Sequence, residues 1–126
     1  MRQLSSVGFM LFVLAGCALF PREHYAVFFE PQSSDLDDSA RQIIADVAHK
    51  ASLRPSEAVT VSGFTDPDGS VPDNKLLAAR RARAVSAMLI ADGVDPARIK
   101  RHAVGGIDYA MDSVESRRVE IMLGAP

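Results

Sequence analysis

The sequence predicts an α/β fold: a two-layer sandwich (α+β) in which a four-stranded mixed sheet carries its helices on one face, in the order β-α-β-α-β-β. Three observations predict it. Four short segments are rich in β-branched and aromatic residues or alternate with period two. Two longer segments between strands repeat apolar residues every three to four positions. The breaks fall at clusters of Pro, Gly and Asp. Both helices lie between strands, so their crossovers cover one face of the sheet.

Tyr25 to Glu30, "YAVFFE", reads as the first strand, ended by Pro31. Ser34 and Asp37 form an S-x-x-D start signal. The helix after them carries Leu36, Ala40, Ile43, Ile44, Val47 and Ala48 at helical spacing. Glu57 to Phe64, "EAVTVSGF", is the second strand, with Val59 and Val61 on one face. Thr65 to Pro72 is a loop by its Pro, Gly and Asp content. The second helix runs from about Asp73 to Ala91 and stops at Gly93, which suits the position after a helix end. Arg98 to Val104 is the third strand and Arg117 to Leu123 the fourth. In the fourth, Val119, Ile121 and Leu123 share a face, while Arg118 and Glu120 point the other way.

A chain of 126 residues is sized for one domain, and a single Cys excludes an internal disulfide. A formal net charge of −2 gives no reason to expect nucleic acid. The chain opens "MRQLSSVGFMLFVLAGC": a basic residue, Arg2, then an apolar run from Val7 to Leu14, then small residues. This reads as a signal peptide over residues 1–16. The run is too short to span a bilayer, which needs roughly 20 residues. Leu14-Ala15-Gly16-Cys17 resembles the lipobox of bacterial lipoproteins, which implies a lipidated, acylated Cys17 as first mature residue. Ala18 after it resembles lipoproteins sorted to the outer membrane of Gram-negative cells. Residues 17–24 would then be the lipidated Cys and a short tether, spanning at most ~25 Å beyond Cys17, and residues 25–126 the domain.

The second helix holds an anomaly. At about 100° per residue, Asn74, Leu77, Ala78, Arg81, Val85 and Met88 fall on one side, and Arg80 and Arg83 on the other. Arg81 is thus a cation on an apolar stripe, and the loop ahead of the helix supplies Asp66 and Asp68. Two readings stay open. Arg81 can be structural, its stem buried and its head on Asp66 or water. Alternatively Asp66 and Arg81 read a zwitterion, an acid for the ammonium and a fork for the carboxylate, with Asn74 filling remaining hydrogen bonds. Under the second reading, exchanging Arg81 for Met is expected to leave the melting temperature at or above the parent's while binding is lost.

"GFTDPDGS", Asn74, Leu77 and "RRA" at Arg80 to Ala82, "GVDPARI" at Gly93 to Ile99 and "SRRVEI" at Ser116 to Ile121 resemble the OmpA-like peptidoglycan-binding domain, of the kind carried by Pal-type outer-membrane lipoproteins. The resemblance runs from about Tyr25 to Leu123. It implies a ligand, the diaminopimelate residue of the peptidoglycan stem, which presents a zwitterionic end. Position by position it implies Asp66 for the ammonium and Arg81 for the carboxylate, Asn74 and Leu77 lining the site, Thr65 in the T-D-x-x-G motif and Arg117 at the start of the last strand. Three features depart from the family pattern: Ser116 stands where Asn is usual, "VGGID" at Val104 to Asp108 is a degraded G-x-G-E, and the segment joining the last two strands is short.

Other chemistry is set aside. "DPDG" lacks EF-hand spacing, because position 12 from Asp66 is Leu77. His24, His49 and His102 have no ligand spacing, and no nucleophile motif is present. No metal, cofactor or catalysis is expected. The basic "RRAR" with Arg98, Lys100 and Arg101 reads as a solvated face. The expected function is that of an outer-membrane lipoprotein, lipid-anchored on the periplasmic face, that tethers the membrane to peptidoglycan. The alternative is a structural or interaction subunit of an envelope machine, with protein partners and weak or no wall binding.

Overall fold

The structure, a computed structural model, describes residues 21–107 and 113–124. The elements are β1 (Glu23–Phe28), α1 (Asp38–Ser52), β2 (Val59–Thr65), α2 (Val71–Ala91), a 3₁₀ turn (Pro96–Arg98), β3 (Ile99–Gly106), α3 (Ser113–Ser116) and β4 (Arg118–Leu123). One four-stranded sheet has the order β1-β4-β2-β3. β2 and β3 are parallel, joined by the α2 crossover, and β4 runs antiparallel to both β1 and β2. The expected mixed-sheet α/β sandwich is therefore the observed architecture. The signal peptide and Cys17 lie outside the described residues.

The core is the layer between sheet and helices. β2 alternates strictly, with Val59, Val61, Gly63 and Thr65 buried. From β4, Val119, Ile121 and Leu123 face them, and from α1, Ile44, Val47 and Ala51. Each helix end has a local reason. Asp37 caps α1 by accepting from the Ala40 N–H at 2.7 Å, so the start signal is Asp37 itself rather than Ser34. Ser70 caps α2 by accepting from the Asp73 N–H at 3.2 Å, and Pro72 sits in the first turn, where a missing N–H costs nothing. α2 therefore starts two residues before the expected position. At its other end Gly93 has φ +107°, and the Gly93 and Val94 N–H groups bond back to Ile90 and Leu89.

All four strands differ from expectation: β2 runs Val59–Thr65 rather than Glu57–Phe64, β4 starts at Arg118 rather than Arg117, and the other two shift as follows. β1 begins at Glu23 and ends at Phe28, two residues early, because its frame is set by pairing with β4 from Glu23↔Leu123 to Phe28↔Arg118. Phe29 still reaches the core from beyond the strand. β3 extends to Gly106 through a bulge at Val104, opposite the Gly63–Phe64 step.

Between β1 and α1 the chain makes a turn, with the Ser33 N–H on the Glu30 carbonyl (3.1 Å), Pro31 second and Gln32 third. Gln32 has φ +58°, in the region where L residues are strained. Gln32→Gly is expected to stabilise the fold by about 0.5–1 kcal/mol, the relief exceeding the added unfolded-state entropy of Gly. Thermal unfolding should show a rise of a few degrees; a fall would contradict strain at Gln32.

Candidate functional site

The site is built at the carboxyl end of β2. The strand delivers Thr65, which is buried, and then Asp66, which is partly exposed. α2 lies across the sheet and presents Asn74, Leu77, Ala78 and Arg81 from its buried face, while Arg80 and Arg83 are exposed. β4 runs antiparallel to β2 and begins beside its carboxyl end, so the residues just ahead of β4, Ser116 and Arg117, meet Asp66.

Arg81 is fully buried, and each of its three nitrogens donates to a main-chain carbonyl. Its Nε donates to Ser33 O at 2.7 Å, Nη1 to Phe64 O at 3.1 Å and Nη2 to Glu30 O at 3.1 Å. The guanidinium carbon lies 5.2 Å from the centre of the Phe29 ring. Burial pulls its pKa down to about 10; the charge of Asp66 works against that shift, and Arg117 and Arg80 add to it.

Asp66 takes different partners from those the sequence suggested. No ion pair joins it to Arg81. Its Oδ2 lies 3.8 Å from Nη1 of Arg117, and its Oδ1 receives the hydroxyl of Ser116. Ser116 is buried, and its hydroxyl is shared between Asp66 and the Ser113 carbonyl at 2.7 Å. Arg117 is held in turn by the Phe29 carbonyl (3.1 Å) and the Ser113 hydroxyl (3.1 Å). The physical reason lies in what each acceptor can do without Arg81. Asp66 reaches water, whereas without Arg81 the Phe64 carbonyl of β2 and one carbonyl of the turn would lose their partner.

Thr65, Asp66, Asn74, Arg81 and Arg117 are thus gathered at one end of the sheet. Thr65 donates its hydroxyl to the Asp66 carbonyl at 3.0 Å, and its own carbonyl holds the Ile107 N–H at 3.1 Å. Gly106 separates Asp66 from Asn74: a β-carbon there would stand 3.1 Å from Asp66 O and 3.2 Å from Asn74 Nδ2. Leu77 is buried on the same helix face as Arg81. The sequence reading missed the role of Ser116, which it noted only as a departure, and the carbonyls of Glu30, Ser33 and Phe64. No side-chain pattern signals a carbonyl.

The arrangement offers a carboxylate at the surface, a neighbouring guanidinium, and a buried guanidinium behind them. Three of the five Arg81 N–H groups are used, which leaves one on each terminal nitrogen.

The sequence model of the OmpA family matches residues 28–119. An outer membrane protein of Gluconacetobacter diazotrophicus is 34% identical over 115 residues, covering 82% of this chain and 30% of that protein. The peptidoglycan-associated lipoprotein of Pseudomonas aeruginosa is 36% identical over 78 residues, covering 62% of this chain and 46% of the relative. Among solved structures, the peptidoglycan-associated lipoprotein of Burkholderia pseudomallei superposes with a TM-score of 0.72 at 23% identity, covering 78% of this chain and 88% of that one, a likeness of fold. The chain spans about a third to a half of the length of the curated relatives it matches. The family match runs from the end of β1 into β4 and takes in every candidate ligand-binding residue, so the chain belongs to the OmpA family.

Proposed function

We propose that the chain binds peptidoglycan non-covalently through the diaminopimelate of the stem peptide, and that it performs no catalysis. The single observation that carries this reading is a partly exposed carboxylate, Asp66, near enough to the buried guanidinium of Arg81 for its charge to be felt there, with Arg117 beside it. Asp66 takes the ligand ammonium, a better partner than Arg117 at 3.8 Å. The ligand carboxylate takes the remaining N–H groups of Arg81, which it reaches when the Glu30–Ser33 turn yields. Asn74, Thr65, Leu77 and Arg117 line the site. The name of the Pseudomonas relative, a peptidoglycan-associated lipoprotein, supports the ligand class.

The polarity of the sheet supports a tethering role. β1 starts at Glu23, opposite Leu123, at the same end as Val59 and Ile99. Thr65 and Asp66 lie at the other end of β2, about 20 Å away at ~3.3 Å per residue. A lipid on Cys17 would therefore hold the domain by the end remote from its site. The tether is five residues, 18–22, shorter than the sequence alone suggested, and reaches at most ~18 Å. We place the chain on the periplasmic face of the outer membrane.

The test is co-sedimentation of the full chain with purified sacculi. Asp66→Ala is expected to lose binding by roughly two orders of magnitude, since half of a charge-paired ligand is left unmatched. Arg80→Ala is expected to bind as the parent does. Palmitate labelling in cells should stop in Cys17→Ser. An Asp66→Ala chain that sediments normally would overturn the site. A parent chain that does not sediment at all would favour the interaction-subunit reading.

A further inference from the structure

We infer that the free edge of β3 is a docking site for an extended acidic segment of a partner protein, which adds to the sheet as a fifth strand. The two sheet edges differ. At β1, Glu23 pairs with Lys50 (3.3 Å) and Arg54 (2.9 Å) and receives the Tyr25 hydroxyl, while the Lys50 ammonium stands 5.2 Å from the Tyr25 ring centre. Side chains from α1 thus close against that edge. At β3, residues 100–104 are all exposed, including Ala103, whose single methyl cannot shield the main chain. Among the described residues β3 pairs only with β2, so alternate N–H and C=O groups along Ile99–Ala103 face outward. Such an edge is a template for strand addition.

Beside the edge, α2 and β3 enclose two adjoining hollows of about 210 and 240 Å³ that share Arg83 and Arg101. Ala79, Ala82, Ala87 and Ala103 give them small-residue walls. An added strand would send alternate side chains into this groove and the others over the bare sheet face, beside Lys100 and His102. The bulge at Val104 breaks the regular pairing, which limits the docked stretch to the five residues Ile99–Ala103.

Charge decides the occupant. Arg83, Lys100 and Arg101 enter none of the ion pairs among the described residues. A second copy of this edge would bring these cations against their own like, so edge-to-edge pairing of the chain with itself is disfavoured. A strand bearing carboxylates meets a cation on either face. These residues are the ones the sequence alone assigned to a solvated face.

The test uses a labelled seven-residue peptide of alternating Glu and Val, added to the full chain and followed by fluorescence anisotropy and amide chemical shifts. Shifts are expected along Ile99–Ala103 and on the facing side of α2. Affinity should fall about tenfold between ~50 and ~300 mM salt, and about tenfold in the Arg83→Gln, Arg101→Gln double variant. The same peptide with a central Pro, which lacks the ladder N–H, should not bind. Sacculus binding should be unchanged in the double variant, so this inference and the wall-binding reading fail separately. The proposal is overturned by undiminished binding of the Pro peptide or by undiminished affinity in the double variant. It is equally overturned by shifts elsewhere, or by absence of binding at millimolar peptide. Self-association of the double variant in sedimentation velocity, without loss of peptide affinity, would make the cations simple guards of an exposed edge.

Discussion

Gly63→Ala is expected to lower the melting temperature by roughly 15–30 °C and to leave little soluble protein at growth temperature. An added β-carbon would lie 2.2 Å from the Ala78 carbonyl oxygen, 2.9 Å from its carbon and 3.3 Å from its Cα. All three are main-chain atoms inside a helix, so no side chain can swing aside. α2 must lift off β2 along its whole contact. That would stretch the 3.1 Å bond from Arg81 to Phe64 O and open the layer in which Val61, Ala82 and Val85 are buried. Overpacking typically costs about 1–3 kcal/mol where neighbours can adjust. With rigid backbone on both sides the expected cost is ~4 kcal/mol, against a total stability of roughly 5–15 kcal/mol for a domain. The conversion is about 4–8 °C per kcal/mol at this size. Thermal unfolding followed by circular dichroism checks it. A melting temperature within a few degrees of the parent would mean that α2 does not sit where the close approach at Gly63 requires.

How far such contacts could be read from the sequence depends on what carries them. The elements were legible because side chains carry their signals: Val59 and Val61 alternate, Ile44 and Val47 recur at helical spacing, and Gly93 marks a helix end. That Asp66, Asn74 and Arg81 come together at one end of the sheet was legible through the loop, the helix face and the motif pattern. What escaped lies in the main chain or in pairing. Gly63 interrupts a strand, and a Gly there often marks close approach, yet the sequence does not say that Ala78 is what approaches. The frame of β1 is fixed by β4, nearly a hundred residues away, so local composition placed the strand two residues late. Ser116 looked like the loss of an amide. In the fold its shorter side chain reaches Asp66 because α3 brings it there, and nothing in "DSVES" suggests a helical turn of four residues.

The same gap decides the second large effect. Arg81→Met is expected to lower the melting temperature by roughly 12–24 °C, the reverse of what the apolar stripe alone suggested. Viewed only on its helix, Arg81 is a desolvated cation, and Met of similar length relieves the cost of burying it. In the fold, the guanidinium joins two separate pieces of chain through three carbonyls: both ends of the turn, at Glu30 and Ser33, and the end of β2 at Phe64. Met offers none of these carbonyls a donor. Hydrogen bonds from a charged group contribute about 1.5–3 kcal/mol each, and an orphaned buried acceptor costs about 1–3 kcal/mol. The turn is at the surface and can recover water at one carbonyl, so the net loss is about 3 kcal/mol rather than the full sum. At about 4–8 °C per kcal/mol this gives the stated fall. Because burial holds Arg81 at about 10, it is protonated in both folded and unfolded chains from pH ~5 to ~9. The difference between Arg81→Met and the parent should therefore stay flat across that range. Arg81→Lys separates the two roles of the residue. Its ammonium has donors enough for the carbonyls but no planar fork, so it should recover about half of the stability while sacculus binding stays weak. A Met variant that melts at or above the parent, at any pH in that range, would show that the three carbonyls find other partners and that Arg81 is kept for its ligand alone.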